Sequence, residues 1–144
     1  LGGFVTASQP VIDTLINRAR PMIYSTAVPP AQAAALGAAI GVVREEPERR
    51  QRLAVIGRAV RDGLIESGWE GLDQRVVTPI LPLIVGGVDE ALALQAKLER
   101  SGILAVAIRP PTVPLGRARV RLSLRADLTD GHIDQILTTI GRTP

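Results

Sequence analysis

The sequence predicts an α/β fold: a three-stranded, mainly antiparallel sheet packed with helices, preceded by further helices. Three observations predict it. From Arg117 to Arg125 polar and apolar residues alternate strictly, Arg117, Arg119, Arg121, Ser123 and Arg125 on one parity and Ala118, Val120, Leu122 and Leu124 on the other. Period-two alternation is the pattern of a half-buried strand. Segments 47–67, 89–100 and 128–140 instead carry apolar residues at helical spacing, for example Leu53, Ile56, Val60 and Leu64. Gly68, Gly86-Gly87 and Ser101-Gly102 punctuate the boundaries between the two periods.

Each element has a local reason. Leu1 to Ser8 reads as a loop running into a short strand, and its Gly2-Gly3 pair fits either a tight turn or a close backbone approach to a phosphate. Ser8 and Pro10 start a helix with Val11, Ile12, Leu15 and Ile16 as its apolar stripe. Pro21 breaks it, so 20–30 is expected to be irregular or extended, with Tyr24, Ser25 and Thr26 at its centre. The two small hydroxyls can cap the next helix or donate to a phosphate. That helix, Pro29 to Val43, is alanine-rich and too short to span a bilayer.

Pro47 opens a second helix, to about Ser67, whose charged residues are expected to form a solvated face; Gly68 closes it and Trp69 seals the core edge. Thr78–Val85 is a buried strand that its prolines confine to an edge or a strand start. Asp89 is expected to cap the helix to Arg100, which carries Lys97, either a Schiff-base lysine or a surface one. Ile103–Ile108 is a further strand. Thr129 or Asp130 caps the last helix, buried through Ile133, Ile136, Leu137 and Ile140, with His132 in its first turn as a surface or catalytic residue.

Composition narrows the chemistry. The 144 residues are 46% hydrophobic and 22% charged, which is globular rather than disordered. Aromatics are 2%, which leaves little for base stacking, and the net charge of +3 is interleaved with acids rather than gathered in one patch. Neither nucleic acid nor membrane is an expected partner. The absence of cysteine excludes disulfides, thiolate metal sites and cysteine nucleophiles, and one histidine leaves little for a metal centre, so no metal is expected.

The stretch from Arg109 to Arg125 carries the sharpest functional signal. Pro110, Pro111 and Pro114 stiffen a loop that presents Thr112, and the arginine strand follows. Arginine grips a planar carboxylate or phosphate through two parallel hydrogen bonds, so loop and strand could wall an anion site. A solvated basic face on an edge strand has the same pattern.

Arg20-Pro-Met-Ile-Tyr-Ser-Thr-Ala-Val-Pro-Pro-Ala-Gln32, Ala107-Ile-Arg-Pro-Pro-Thr-Val-Pro114 and Ala118-Arg-Val-Arg-Leu-Ser-Leu124 together resemble the C-terminal part of the α-oxoamine synthases, in particular the 8-amino-7-oxononanoate synthase branch. The resemblance runs over essentially the whole chain. It implies a pyridoxal-phosphate enzyme of the aspartate-aminotransferase-like fold, with 1–45 the end of the large domain and a subunit-interface segment and 46–144 the C-terminal α/β small domain. The implied activity is decarboxylating condensation of pimeloyl-CoA, or the acyl-carrier-protein thioester, with L-alanine in biotin biosynthesis. The implied setting is a cytoplasmic homodimer with shared active sites.

By the same resemblance Arg121 binds the amino-acid carboxylate, Thr112 contacts substrate, and Arg109 lies near the acyl end. Ser25 and Thr26 reach the cofactor phosphate of the neighbouring subunit. The family's Schiff-base lysine lies shortly before the position of Gly2-Gly3 and is absent from this chain, and Lys97 matches no catalytic position. The chain is therefore expected to hold no catalytic residue and to be inactive alone. Two alternatives stand: another α-oxoamine synthase, of the 2-amino-3-ketobutyrate ligase or 5-aminolevulinate synthase type, or a non-catalytic α/β interaction domain that keeps the fold.

Overall fold

The computed structural model describes residues 4–75 and 78–142. The chain divides into two compact units, Leu1–Glu45 and Glu46–Pro144. Among the described residues no helix is long and apolar enough to cross a membrane, and no group of histidines and carboxylates could hold a metal ion.

The first unit is helical. α1 (Gln9–Arg18) starts at Ser8, whose carbonyl, not its hydroxyl, accepts from Val11 and Ile12 at 3.0 and 3.1 Å. Residues 4–8 form no strand, contrary to expectation; the unit offers them no partner strand among its described residues, and Phe4 and Val5 are exposed. Segment 20–30 is not wholly irregular either. Arg20–Ile23 makes one helical turn, α2, because Pro21 occupies a first-turn position where its missing donor costs nothing. α3 (Pro30–Glu45) follows. None of these three helices buries a residue within the chain.

The second unit opens with α4 (Pro47–Glu66), which presents Ile56, Val60 and Leu64 to the core as its spacing demands. Its charged residues are not all solvated. Arg61 is 2% exposed and donates to the carbonyls of Gly57 at 3.4 Å and Thr78 at 3.3 Å. Its turn of the helix faces the core, and the two carbonyls satisfy a guanidinium that has left water. Gly68, at φ 88°, ends the helix, and Trp69 is buried with its indole Nε1 donating to the Gly141 carbonyl at 2.9 Å. Gly63 lets α4 approach the last helix closely: a Cβ there would meet Leu137 Cδ1 at 2.6 Å.

The sheet has order β1-β3-β2 and is antiparallel throughout: β1 (Ile80–Gly86), β2 (Val106–Ile108) and β3 (Ala118–Ser123). The proline-bearing β1 is an edge strand, as Pro82 requires. β2 is shorter than 103–108. Its outward-facing Ala107 N–H donates to Oε1 of Gln95 at 2.8 Å, which covers that edge. The arginine strand β3 is central, so it is not an edge face.

Between β1 and β2 runs α5 (Val88–Arg100). Its N-cap is Gly87, and Asp89 sits within the first turn instead of capping it. α6 (Asp130–Ile140) starts at Thr129, whose hydroxyl accepts from His132 N–H at 3.3 Å while His132 Nδ1 accepts from Thr129 N–H at 3.2 Å. Leu81, Leu83, Val120 and Leu122 of the sheet meet Ile56, Val60, Leu64, Leu98, Ile133 and Ile136 of the helices in one core.

Candidate substrate-anchoring site

Register fixes what the outer face of the sheet carries. Leu81, Leu83, Ala107, Val120 and Leu122 point inward, so their alternate neighbours point outward. Arg121 stands opposite Pro82 on one side and Val106 on the other, and Arg119 stands opposite Ile84 and Ile108. Two guanidinium-bearing positions are thus set in a row of apolar ones. No helix of the unit buries them.

The arginines differ in what they do. Arg119 Nε donates to the Arg117 carbonyl at 3.0 Å, bracing the turn at Gly116. Arg125 pairs with Asp127 through both oxygens, and its hydrogen bonds hold that exposed carboxyl below the usual carboxylate range. Arg121 has no hydrogen-bond or ion-pair partner among the described residues, and it lines a cleft of about 440 Å³. The cleft arises because β2 starts only at Val106, which leaves β3 beyond Arg121 unpaired on that side.

Along with Arg121 the cleft gathers Ser123, His132 and Gln135 over a floor that includes Leu122 and Ile136. Of these Ser123 was visible as sharing parity with Arg121. His132 and Gln135 were not singled out as neighbours, because only the docking of α6 brings them there. His132 takes the place usually held by Glu in a Thr-x-x-Glu capping box, a signal that the spacing from Thr129 could have given.

Arg109 and Thr112 lie elsewhere on the unit. They form a turn just past β2, closed by Thr112 N–H to the Arg109 carbonyl at 3.1 Å, with a cis Pro110-Pro111 peptide. Both side chains are exposed, neither lines the Arg121 cleft, and no bond links them to Arg121 among the described residues. Arg121 is one two-residue strand repeat further from that turn than Arg119, roughly 7 Å.

In the first unit Ser25 Oγ donates to the Met22 carbonyl at 3.0 Å, so this hydroxyl closes α2 and does not cap α3. The Thr26 hydroxyl has no partner among the described residues and is exposed. A hydroxyl in that state can donate to a phosphate oxygen, whereas Ser25 must first release Met22. The Gly2-Gly3 pair lies outside the described residues. Lys97 Nζ donates to the Ile140 carbonyl at 3.3 Å, far in function from a carbonyl-trapping amine.

Comparison with known proteins gives this geometry a context. The family profile for aminotransferase class I and II matches residues 1–140. An 8-amino-7-oxononanoate synthase of Cellvibrio japonicus is 42% identical over 140 residues, 97% of this chain and 35% of that protein. The solved serine palmitoyltransferase of S. paucimobilis with a bound PLP–myriocin aldimine superposes with a TM-score of 0.87 at 26% identity, over 97% of this chain and 35% of that one. An 8-amino-7-oxononanoate synthase from Francisella tularensis gives 0.77 at 26% identity, over 92% of this chain and 38% of its own. The chain spans about a third of the length of the curated relatives it matches, 35% for the Cellvibrio protein.

Proposed function

Since the chain belongs to the aminotransferase class I and II family and is homologous to the α-oxoamine synthases, we propose that it forms the substrate-anchoring C-terminal portion of an 8-amino-7-oxononanoate synthase. The reaction would join a pimeloyl thioester to L-alanine with loss of carbon dioxide, in a cytoplasmic homodimer. The observation that carries this reading is Arg121: a guanidinium without a partner among the described residues, fixed at the centre of a sheet and lining a cleft. Arg119 and Arg125 are already engaged, which singles out Arg121 for a carboxylate from outside.

The residues of this chain fit pyridoxal phosphate in part. Thr26, and Ser25 once freed from Met22, would supply hydroxyl donors to its phosphate. The only lysine, Lys97, is committed to Ile140, so covalent attachment falls to a lysine outside this chain. When bound, the cofactor supplies an electron sink next to the amino-acid α-carbon. Arg121 would orient the amino acid by its carboxylate through two charge-assisted bonds. Thr112 and Arg109, on the turn after β2, would contact the substrate toward the acyl end.

A chimera tests this, with the matching third of the Cellvibrio japonicus protein replaced by this chain. It is expected to make product from alanine and a pimeloyl thioester. Arg121→Ala should weaken alanine binding by about 1.5–3 kcal/mol while leaving cofactor absorbance intact. A chimera that binds cofactor yet shows unchanged alanine affinity after that substitution would overturn the assignment. The closeness of the serine palmitoyltransferase structure favours one second reading, an α-oxoamine synthase with a different substrate pair. Turnover of serine with a long-chain thioester by the same chimera would select it.

A further inference from the structure

We propose that His132 is a proton-operated switch at the start of α6: its neutral ring holds the helix cap, and protonation releases it. The capping box supplies the geometry. Thr129 N–H donates to His132 Nδ1 at 3.2 Å, while His132 N–H donates to Thr129 Oγ1 at 3.3 Å. The ring nitrogen is the only acceptor of the Thr129 N–H among the described residues.

An imidazole nitrogen accepts only while it carries no proton, so this cap selects the neutral ring with its hydrogen on Nε2. The cationic ring carries a hydrogen on both nitrogens. Nδ1–H would then face the Thr129 N–H, donor against donor, and the ring must turn away. Glutamate or glutamine, the usual residue at this capping position, would hold Thr129 without titrating between about pH 5 and 8.

The charges around the ring oppose one another. The N-terminus of α6 disfavours a cation, and so do Arg121 and Arg125, which line the same cleft as His132. Asp127 is near enough to feel the His132 charge, but it is paired with Arg125. Asp130 is paired with Arg52 of α4. Asp134, two residues along the helix, does not face the ring.

Release stays local. Arg52 Nη2 donates to the Leu128 carbonyl and to Asp130 Oδ1, both at 3.1 Å, and Gln135 Nε2 donates to the Ser101 carbonyl at 2.8 Å. None of these bonds involves the ring, so α6 stays docked through Ile133, Ile136 and Ile140 while its first turn loosens. Because His132 lines the Arg121 cleft, the stretch that responds to pH is part of that cleft's wall. The switch itself needs no ligand there, and its test is independent of what Arg121 binds.

NMR on the 144-residue protein tests it. Above the titration of His132, the ring nitrogen shifts should report the Nε2–H tautomer. As pH falls, the Thr129 amide shift should move with the same midpoint as the ring. Protection of that amide, corrected for the intrinsic pH dependence of exchange, should drop about fivefold, the loss of one neutral hydrogen bond. Amides from Ile136 to Ile140 should not follow. His132→Gln keeps an acceptor at this position and should abolish the movement of Thr129. A neutral ring in the Nδ1–H tautomer, a Thr129 amide that ignores the titration of the ring, or an equal movement in His132→Gln would each overturn the proposal.

Discussion

Arg61 Nη2 donates to the Thr78 carbonyl at 3.3 Å, joining the middle of α4 to the approach of β1 from a side chain that is 2% exposed. Among the described residues the guanidinium forms no ion pair and hydrogen-bonds only this carbonyl and that of Gly57. After the hydrogen bonds from Arg75, however, its charge helps to lower the pKa of Asp73 nearby. Truncation to Ala would empty a large buried volume and leave the Thr78 carbonyl short of a donor. Arg61→Ala should therefore destabilise the second unit by about 2–4 kcal/mol in urea unfolding. Arg61→Met keeps most of the volume and removes the buried charge, and should cost clearly less. Equal losses for the two variants would mean that the hydrogen bonds, not the packing, dominate.

Trp69 closes the opposite end of the core and ties its indole N–H to the Gly141 carbonyl at 2.9 Å. Trp69→Phe keeps an aromatic ring but loses that bond, for an expected cost of about 0.5–1.5 kcal/mol from the bond itself. Trp69→Ala should cost about 3–5 kcal/mol. Circular dichroism is the appropriate probe, since either change removes the only tryptophan.

The strand elements were legible because their parity was unambiguous: alternate residues Ala118, Val120 and Leu122 are buried as their spacing required. The edge position of β1 is one of the two that its prolines allowed, whereas the antiparallel order β1-β3-β2 is a property of the assembled sheet that no single strand's parity states. Arg61 was only partly legible. Helical spacing sets it nearer the Val60–Leu64 stripe than Arg58, but its burial also depends on Thr78, seventeen residues away in sequence. The Arg121 cleft was half legible: the guanidinium row is in the sequence, but the cleft exists because β2 stops short and α6 docks beside it. Asp89 failed as a cap because Gly87 already has extended geometry at the helix start, so the helix begins one residue before Asp89.

Asp127 gives a prediction in pH. Hydrogen bonds from Arg125 are the main cause holding its carboxyl below the usual carboxylate range. A carboxyl with a folded-state pKa below its unfolded value contributes stability above the unfolded value, near 3.9, and loses it as pH falls through the folded one. The pair is exposed, so the effect on global unfolding should be slight and screened by salt. Side-chain carboxyl NMR should find the Asp127 midpoint below that of an ordinary aspartate, and Arg125→Ala should move it upward. An unmoved midpoint would show that the ion pair is not formed in solution.

Ser25 and Thr26 are adjacent hydroxyls in different states, and the proposed phosphate role separates them. Ser25 Oγ is a donor already spent on the Met22 carbonyl, while the Thr26 hydroxyl is unengaged among the described residues. Giving up one neutral hydrogen bond to make another gains little, whereas an unengaged donor aimed at a phosphate adds a charge-assisted bond. In the chimera with the Cellvibrio protein, Thr26→Val should raise the pyridoxal-phosphate dissociation constant by about tenfold, and Ser25→Ala by much less. Ser25→Ala should instead loosen the turn at α2, seen as faster amide exchange around Met22 and Ile23. If both substitutions leave cofactor retention unaltered, the phosphate is held elsewhere, and these hydroxyls serve only the local backbone.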